Sequence, residues 1–364
     1  MPKQKDIKGN KGEWSEFYTF LKLLSDKRLV AADADLKKIK DVFYPVLKIV
    51  RQQASGTIEY EFAAKGKVRI LQSNSEIVLV STSDLKRKIK DIFTLIKSRS
   101  DTTFTIPVAE ELMSRFKATR LNAGNSRKED LTLKIHDRNT GTEPEVGFSI
   151  KSMLGSPASL LNASTATNFI YKISGIDENK VTEINAIEGK SKIRNRLTAI
   201  IKHGGIFSYR GISSNIFEKN LRKIDTVLPE IASELILAYY SNEGSKLPKL
   251  VSKLGTTDIK ILAFDLDTSD YEFKIKSLLH NIALGMVPNS PWDGLLRAHG
   301  GYIIVRDDGE IVCYHVYNAD DFRNYLFNHT KFDTPSTSRH EFGTIYKQGK
   351  DLLIKLNIQI RFIR

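Results

Sequence analysis

The sequence predicts an α+β fold in which a mixed sheet is flanked by helices and followed by a β-rich C-terminal part. Three observations predict it. Helical and strand periodicities alternate along the chain, with no repeat, low-complexity block or long Pro/Gly/Ser linker. A hairpin pattern occupies 130–151. Strand-like segments gather again after residue 300.

The first element is a helix over Glu13–Lys27, where Trp14, Phe17, Tyr18 and Leu21 recur at helical spacing and Glu13 and Glu16 lie one turn apart. Strands follow at Phe43–Val50, Thr57–Ala63, Val68–Leu71 and Glu76–Val80. They are rich in Val, Ile and Tyr and are parted by Ser55-Gly56 and Ser73-Asn74. Helices are expected near Ser83–Ser98 and Val108–Ala118. In 130–151, apolar residues at 131, 133 and 135 make one strand, Asp137–Thr142 (with Asn139 and Gly141) a polar turn, and Glu145–Lys151 the returning strand. Ser156-Pro157 reads as a helix start, Ser as N-cap and Pro at the first helical position. Phe169–Ile173 reads as a strand. Lys190–Lys202, Ser214–Arg222, Thr226–Tyr240 and Tyr271–Leu284 read as helices. Tyr302–Val305, Ile311–His315, Gly343–Lys347 and Leu352–Ile360 form the terminal β region, the last pair joined as a hairpin by Gln348-Gly349-Lys350-Asp351.

The 364 residues allow two or three domains at about 100–200 residues each. The division expected is 1–105 as a supporting N-terminal region, 106–250 as a catalytic core, and 251–364 as a region for recognition. A hydrophobic fraction of 41% suffices for a core, and no stretch approaches a membrane helix. A single cysteine, Cys313, excludes an intrachain disulfide and a CxxC-type zinc site, which points to the cytoplasm. The net charge of +13, from 56 Lys+Arg against 43 Asp+Glu, favours a polyanionic partner such as nucleic acid over a membrane. His203, His280, His299 and His315 are dispersed and make no metal or hydrolase set. Gly204-Gly205 and Gly300-Gly301 are not phosphate-binding loops.

Cutting a phosphodiester needs a divalent metal held by carboxylates, an activated water, and neutralisation of the charge developing on phosphorus. Mg2+ keeps several waters, so one or two carboxylates suffice. In the hairpin, the start of the first strand lies beside the end of the second. Asp130 therefore meets Ser149 and Lys151, which share a face because side chains alternate. A strand-start acid beside an x-Lys pair is the arrangement of the PD-(D/E)xK nuclease core. Here the second acidic position is Ser149, a neutral and weaker ligand. Glu145 shares the face of Lys151 but lies about 20 Å away at roughly 3.3 Å per residue, too far to substitute. A glutamate from the first helix, Glu13 ahead of Glu16, is the better replacement.

Further segments extend the pattern. Lys11-Gly12-Glu13-Trp14-Ser15-Glu16 resembles the HpaII-type restriction endonucleases. So do Gly147-Phe148-Ser149-Ile150-Lys151-Ser152 with Leu154-Gly155-Ser156-Pro157, and Leu161-Asn162-Ala163-Ser164 with Thr167-Asn168-Phe169. Arg339-His340-Glu341-Phe342-Gly343 and Asn357-Ile358-Gln359-Ile360-Arg361-Phe362 resemble them too. These segments span nearly the whole chain in order. The resemblance implies Mg2+-dependent cleavage of double-stranded DNA within CCGG, blocked by cytosine methylation, in a cytoplasmic, nucleoid-associated bacterial enzyme with a cognate cytosine methyltransferase as genetic partner. A palindromic target suits a homodimer, though a monomer nicking each strand in turn also serves it. Two other readings stay open: a structure-specific DNA repair nuclease, and a non-catalytic DNA-binding protein.

The site expected is Asp130 as metal ligand and Lys151 as the group that orients or deprotonates water. Ser149 would bond a metal-bound water, and Glu13 would bind metal or orient Lys151. Reading of G·C pairs calls for Arg or Lys against guanine. The loop-borne candidates for DNA are Arg120, Arg127, Arg210, Arg339 and His340, with Ser156 and Asn162 from a run rich in small polar groups beside the site.

Overall fold

The computed structural model describes residues 7–53, 55–122, 129–138, 140–254 and 266–363. It is a mixed α+β protein with eleven α-helices among the described residues. In chain order these are α1 (Lys11–Asp26), β1 (Arg28–Ala32), β2 (Lys38–Gln53), β3 (Gly56–Ala63), β4 (Lys67–Gln72), β5 (Ser75–Ser81), α2 (Leu85–Ser98), α3 (Pro107–Arg115), β6 (Leu131–Ile135) and β7 (Glu145–Ser152). There follow β8 (Ser159–Leu161), β9 (Asn168–Ser174), α4 (Lys180–Asn185), α5 (Lys192–Lys202), β10 (Ile206–Ile212), α6 (Asn215–Ile224), α7 (Leu228–Tyr240), α8 (Leu247–Leu254) and α9 (Thr268–Leu284). The chain ends with β11 (Gly301–Val305), β12 (Ile311–Tyr314), α10 (Ala319–Asn328), β13 (Thr330–Phe332), α11 (Thr337–His340), β14 (Ile345–Gln348), β15 (Asp351–Asn357) and β16 (Ile360–Phe362).

Two compact units share the chain: Met1–Ala158 with Leu296–Tyr325, and Ser159–Leu295 with Leu326–Arg364. The boundaries expected at 105/106 and 250/251 fall inside the first unit and inside α8. In the first unit a nine-stranded sheet runs β1-β12-β11-β7-β6-β2-β3-β4-β5, and an added β1–β2 pairing closes six of its strands into a barrel. The expected flanked sheet thus closes on itself. The sixteen-residue β2 makes this possible, because its start pairs with β1 and its end with both β6 and β3. The pairs β1–β12 and β11–β7 are parallel, and the others are antiparallel.

Helix α1 is buried around most of its circumference, by Trp14, Phe17, Phe20, Leu21 and Leu24 among others, as a core helix must be. A capping box starts it: Asn10 Oδ1 accepts from Glu13 N at 3.0 Å, and Glu13 Oε2 accepts from Asn10 N at 2.8 Å. Trp14 Nε1 donates to Phe104 O at 3.0 Å. Ser15 Oγ lies 2.8 Å from Ser152 Oγ, which ties α1 to the end of β7.

The second unit holds a four-stranded sheet, β10-β9-β15-β14, and a three-stranded one, β13-β16-β8. Two expectations are corrected here. Ser156-Pro157 starts no helix. The chain bends through 153–156 and enters β8, where Leu161 pairs with Ile360 of β16. Leu352–Ile360 is not one strand either: β15 ends at Asn357, and β16 joins the other sheet.

Candidate active site

The alternation of buried Leu131, Leu133 and Ile135 fixes the register of β6. That register sets Leu131 opposite Phe148, so Asp130 stands one step beyond, level with Ser149. Asp130 N donates to Phe148 O at 2.8 Å. Its side chain turns across the strand end, where Oδ2 accepts from Ile150 N at 2.6 Å and from Ser149 Oγ at 3.1 Å. Ser149 is 2% exposed. At this position it donates to the carboxylate, whereas an acidic side chain would set a second negative charge against Asp130.

Lys151 shares the face of Ser149. The parallel neighbour β11 places Tyr302 opposite Ser149 and Ile304 opposite Lys151. Lys151 Nζ lies 5.6 Å from the Tyr302 ring centroid. Burial, and then the Asp130 charge, push the Tyr302 hydroxyl up, so it forms a neutral wall.

The third contributor comes from α1. Glu16 Oε2 is buried and has no hydrogen-bond partner among the described residues. Burial, and then the charge of Asp130, push its carboxyl up to about 8, against the opposing pull of Arg51 and Lys151. Glu16 therefore feels both hairpin residues. Glu13 is committed otherwise: one oxygen closes the capping box, and the other accepts from Asn122 Nδ2 at 3.3 Å. The Asn10-x-x-Glu13 spacing, a cap signature, was the available signal. Glu145, at the far end of β7, pairs with Lys48 at 2.7 Å. Beside Asp130, a cavity of about 30 Å³ is lined by Arg51, Glu129 and Thr132 among others. Arg51 has no motif to announce it.

Among the described residues no group of three or more His, Cys, Asp or Glu is placed to hold a metal. The donors present still suit a hard, water-keeping ion. They are oxygens, two carboxylates are enough, and the orphaned Glu16 Oε2 is a buried acceptor that a cation would satisfy.

The expected DNA-contacting residues divide between the units. Arg120 and Ser156 are exposed in the first. Asn162, Arg210 on β10, and Arg339 on α11 are exposed in the second, where His340 is half-buried. The His340 carbonyl accepts from Asn168 Nδ2 at 2.8 Å. Arg127 lies outside the described residues, as does Asn139 in the expected turn. No helix among the described residues is long and apolar enough to cross a membrane.

No solved structure matches the chain. A type II restriction enzyme, HpaII of Haemophilus parainfluenzae, is 40% identical over 356 residues, which cover 98% of this chain and 98% of that protein. The model of the HpaII restriction endonuclease family matches residues 10–362, a span from the α1 cap through β16 that takes in Glu16, Asp130, Ser149 and Lys151. The chain belongs to the HpaII family of restriction endonucleases.

Proposed function

We propose that this enzyme hydrolyses phosphodiester bonds of double-stranded DNA within CCGG, in a Mg2+-dependent reaction blocked by cytosine methylation, from a PD-(D/E)xK-type site. The observation that carries this reading is the meeting of Asp130 and Lys151 at one end of the β6–β7 hairpin, with Glu16 of α1 acted on by both. Asp130 and Glu16 are the residues that would hold the ion. When bound, Mg2+ supplies positive charge at the scissile phosphate and lowers the pKa of a water. Ser149 and the Ile150 amide orient Asp130. Glu13 fixes the start of the helix that delivers Glu16. Lys151 orients the attacking water and offsets charge on the phosphate.

The exposed Arg120, Arg210 and Arg339, with Ser156, Asn162 and His340, are proposed DNA contacts. Base reading is assigned chiefly to the C-terminal region, 251–364. A symmetric dimer suits the palindrome, and a cytosine methyltransferase would protect the host's own sites.

The test is incubation of the purified protein with phage DNA in Mg2+ or EDTA, beside DNA premethylated at CCGG. Discrete Mg2+-dependent fragments ending at CCGG, absent on methylated DNA, are expected. Intact DNA under every condition, with binding retained in gel shifts, would leave a DNA-binding protein instead.

A further inference from the structure

Behind the carboxylates lies a buried cation. Arg51 of β2 is 5% exposed. It follows Val50, the partner of Thr132 in β6, and so sits next to the strand that begins after Asp130. Its guanidinium lies 4.8 Å from the Phe20 ring centroid and 5.7 Å from that of Phe17, residues that flank Glu16 on α1. Nη2 donates to Leu121 O at 2.9 Å and to Arg120 O at 3.0 Å. Nη1 is buried with no hydrogen-bond partner among the described residues, as is Glu16 Oε2. Each of these two groups acts on the charge of the other. Arg51 and Asp130 also line one small cavity.

A buried cation without a hydrogen-bonded counter-ion costs several kcal/mol, and an apolar side chain would fill the same space against the two rings. Packing alone therefore does not explain an arginine here. The nearest candidate metal ligands are the carboxyls of Glu16 and Asp130.

We propose that Arg51 is a positioning residue of the active site. It locks α1 and the 120–121 segment against β2, and it sets its free Nη1 toward Glu16 and Asp130, so that both carboxylates are held ready for the divalent ion. This rests on the reading of the site as metal-dependent. Coulomb's law and positioning make opposite demands, which renders the idea testable. Removing a nearby positive charge would by itself tighten binding of a second cation. Removing a group that orients metal ligands weakens binding, typically by about 10–100-fold.

The experiment is calorimetric titration of Ca2+ into the full-length protein bound to a CCGG duplex, for the wild type, Arg51→Met and Arg51→Lys. Thermal melting and DNA affinity in EDTA are measured alongside. The expected result for Arg51→Met is Ca2+ binding weaker by about tenfold or more, beyond any change in DNA affinity in EDTA. Arg51→Lys, which keeps the charge, should recover part of the loss. If Arg51→Met melts without a cooperative transition, Arg51→Lys decides by the same criterion against the wild type. Ca2+ bound as tightly as, or more tightly than, by the wild type overturns the proposal and leaves the metal-dependent reading intact. A wild type that takes up no Ca2+ overturns both.

Discussion

Glu16 carries a carboxyl whose ionisation the fold resists. Its carboxyl is pushed up to about 8 from an ordinary 4.5, chiefly by burial and then by Asp130. A raised folded-state value makes the neutral form the one the fold prefers. The stabilisation is full below about pH 4.5 and is lost as pH rises through about 8. Glu16→Gln, which is always neutral, should therefore be more stable than the wild type in EDTA at pH 9, by about 1–3 kcal/mol. The gain should shrink toward zero at pH 5. Melting curves across that range check it, and a gain independent of pH would mean that the Glu16 charge is not the cause. Asp130→Ala and Lys151→Ala should each abolish cleavage while gel-shift binding persists. The meeting of Asp130 with Ser149 at the hairpin end was legible because strand alternation and hairpin register follow from local pattern. That Glu16 is the buried carboxyl was not, because a helix buried on nearly every side shows no single apolar face from which to read a direction. Arg51 was illegible for a related reason: its role depends on rings and carbonyls from two segments remote from it in sequence.

Elements with a clear local pattern were readable, and short or irregular ones were not. The α2 stretch, the β3–β4–β5 meander and the β6–β7 hairpin fall where expected, within a few residues at their ends. β1 has only five residues, too short a run for alternation to mark it, although it pairs with the neighbouring β2 as well as with the remote β12. Ser156-Pro157 carried a sound helix-start signal, and pairing of β8 with β16 overrode it. Buried polar anchors hold such elements as firmly as apolar ones. Arg196 of α5 is 3% exposed. It donates to Gly343 O at 2.7 Å, Asn185 O at 2.6 Å and Ile187 O at 3.1 Å, and so joins α5 to the end of α4 and the approach to β14. Arg196→Met leaves three carbonyls without their donor and should cost about 2–4 kcal/mol in a denaturant melt. Lys192→Gln, one turn away, loses only the partly exposed Glu188 pair and should stay within about 0.5 kcal/mol. Equal losses would mean that the carbonyl anchors contribute little.

At the scale of the molecule, the chain builds the first unit, leaves it at Ala158, and returns at Leu296 to finish it. The returning segment is internal to the barrel. β11 lies between β7 and β12, and β12 closes the ring onto β1. Gly301 makes the entry of β11 possible, because at φ 106 a Cβ there would sit 1.8 Å from Tyr314 O. Without residues 296–325, β7 and β1 are left as open edges, and Lys151 loses the Tyr302 wall. The 1–158 fragment contains every acid and base of the proposed site, yet it should not fold alone. Expressed by itself, it should show no cooperative thermal transition by circular dichroism and should bind no Ca2+. Co-expression with 296–325 should restore a cooperative transition, because the missing strands add pairing on both sides. A fragment 1–158 that melts cooperatively alone would show that the site hairpin and α1 form an autonomous core, with β11 and β12 added later as a cover. The catalytic motif would then owe its geometry to local sequence rather than to barrel closure.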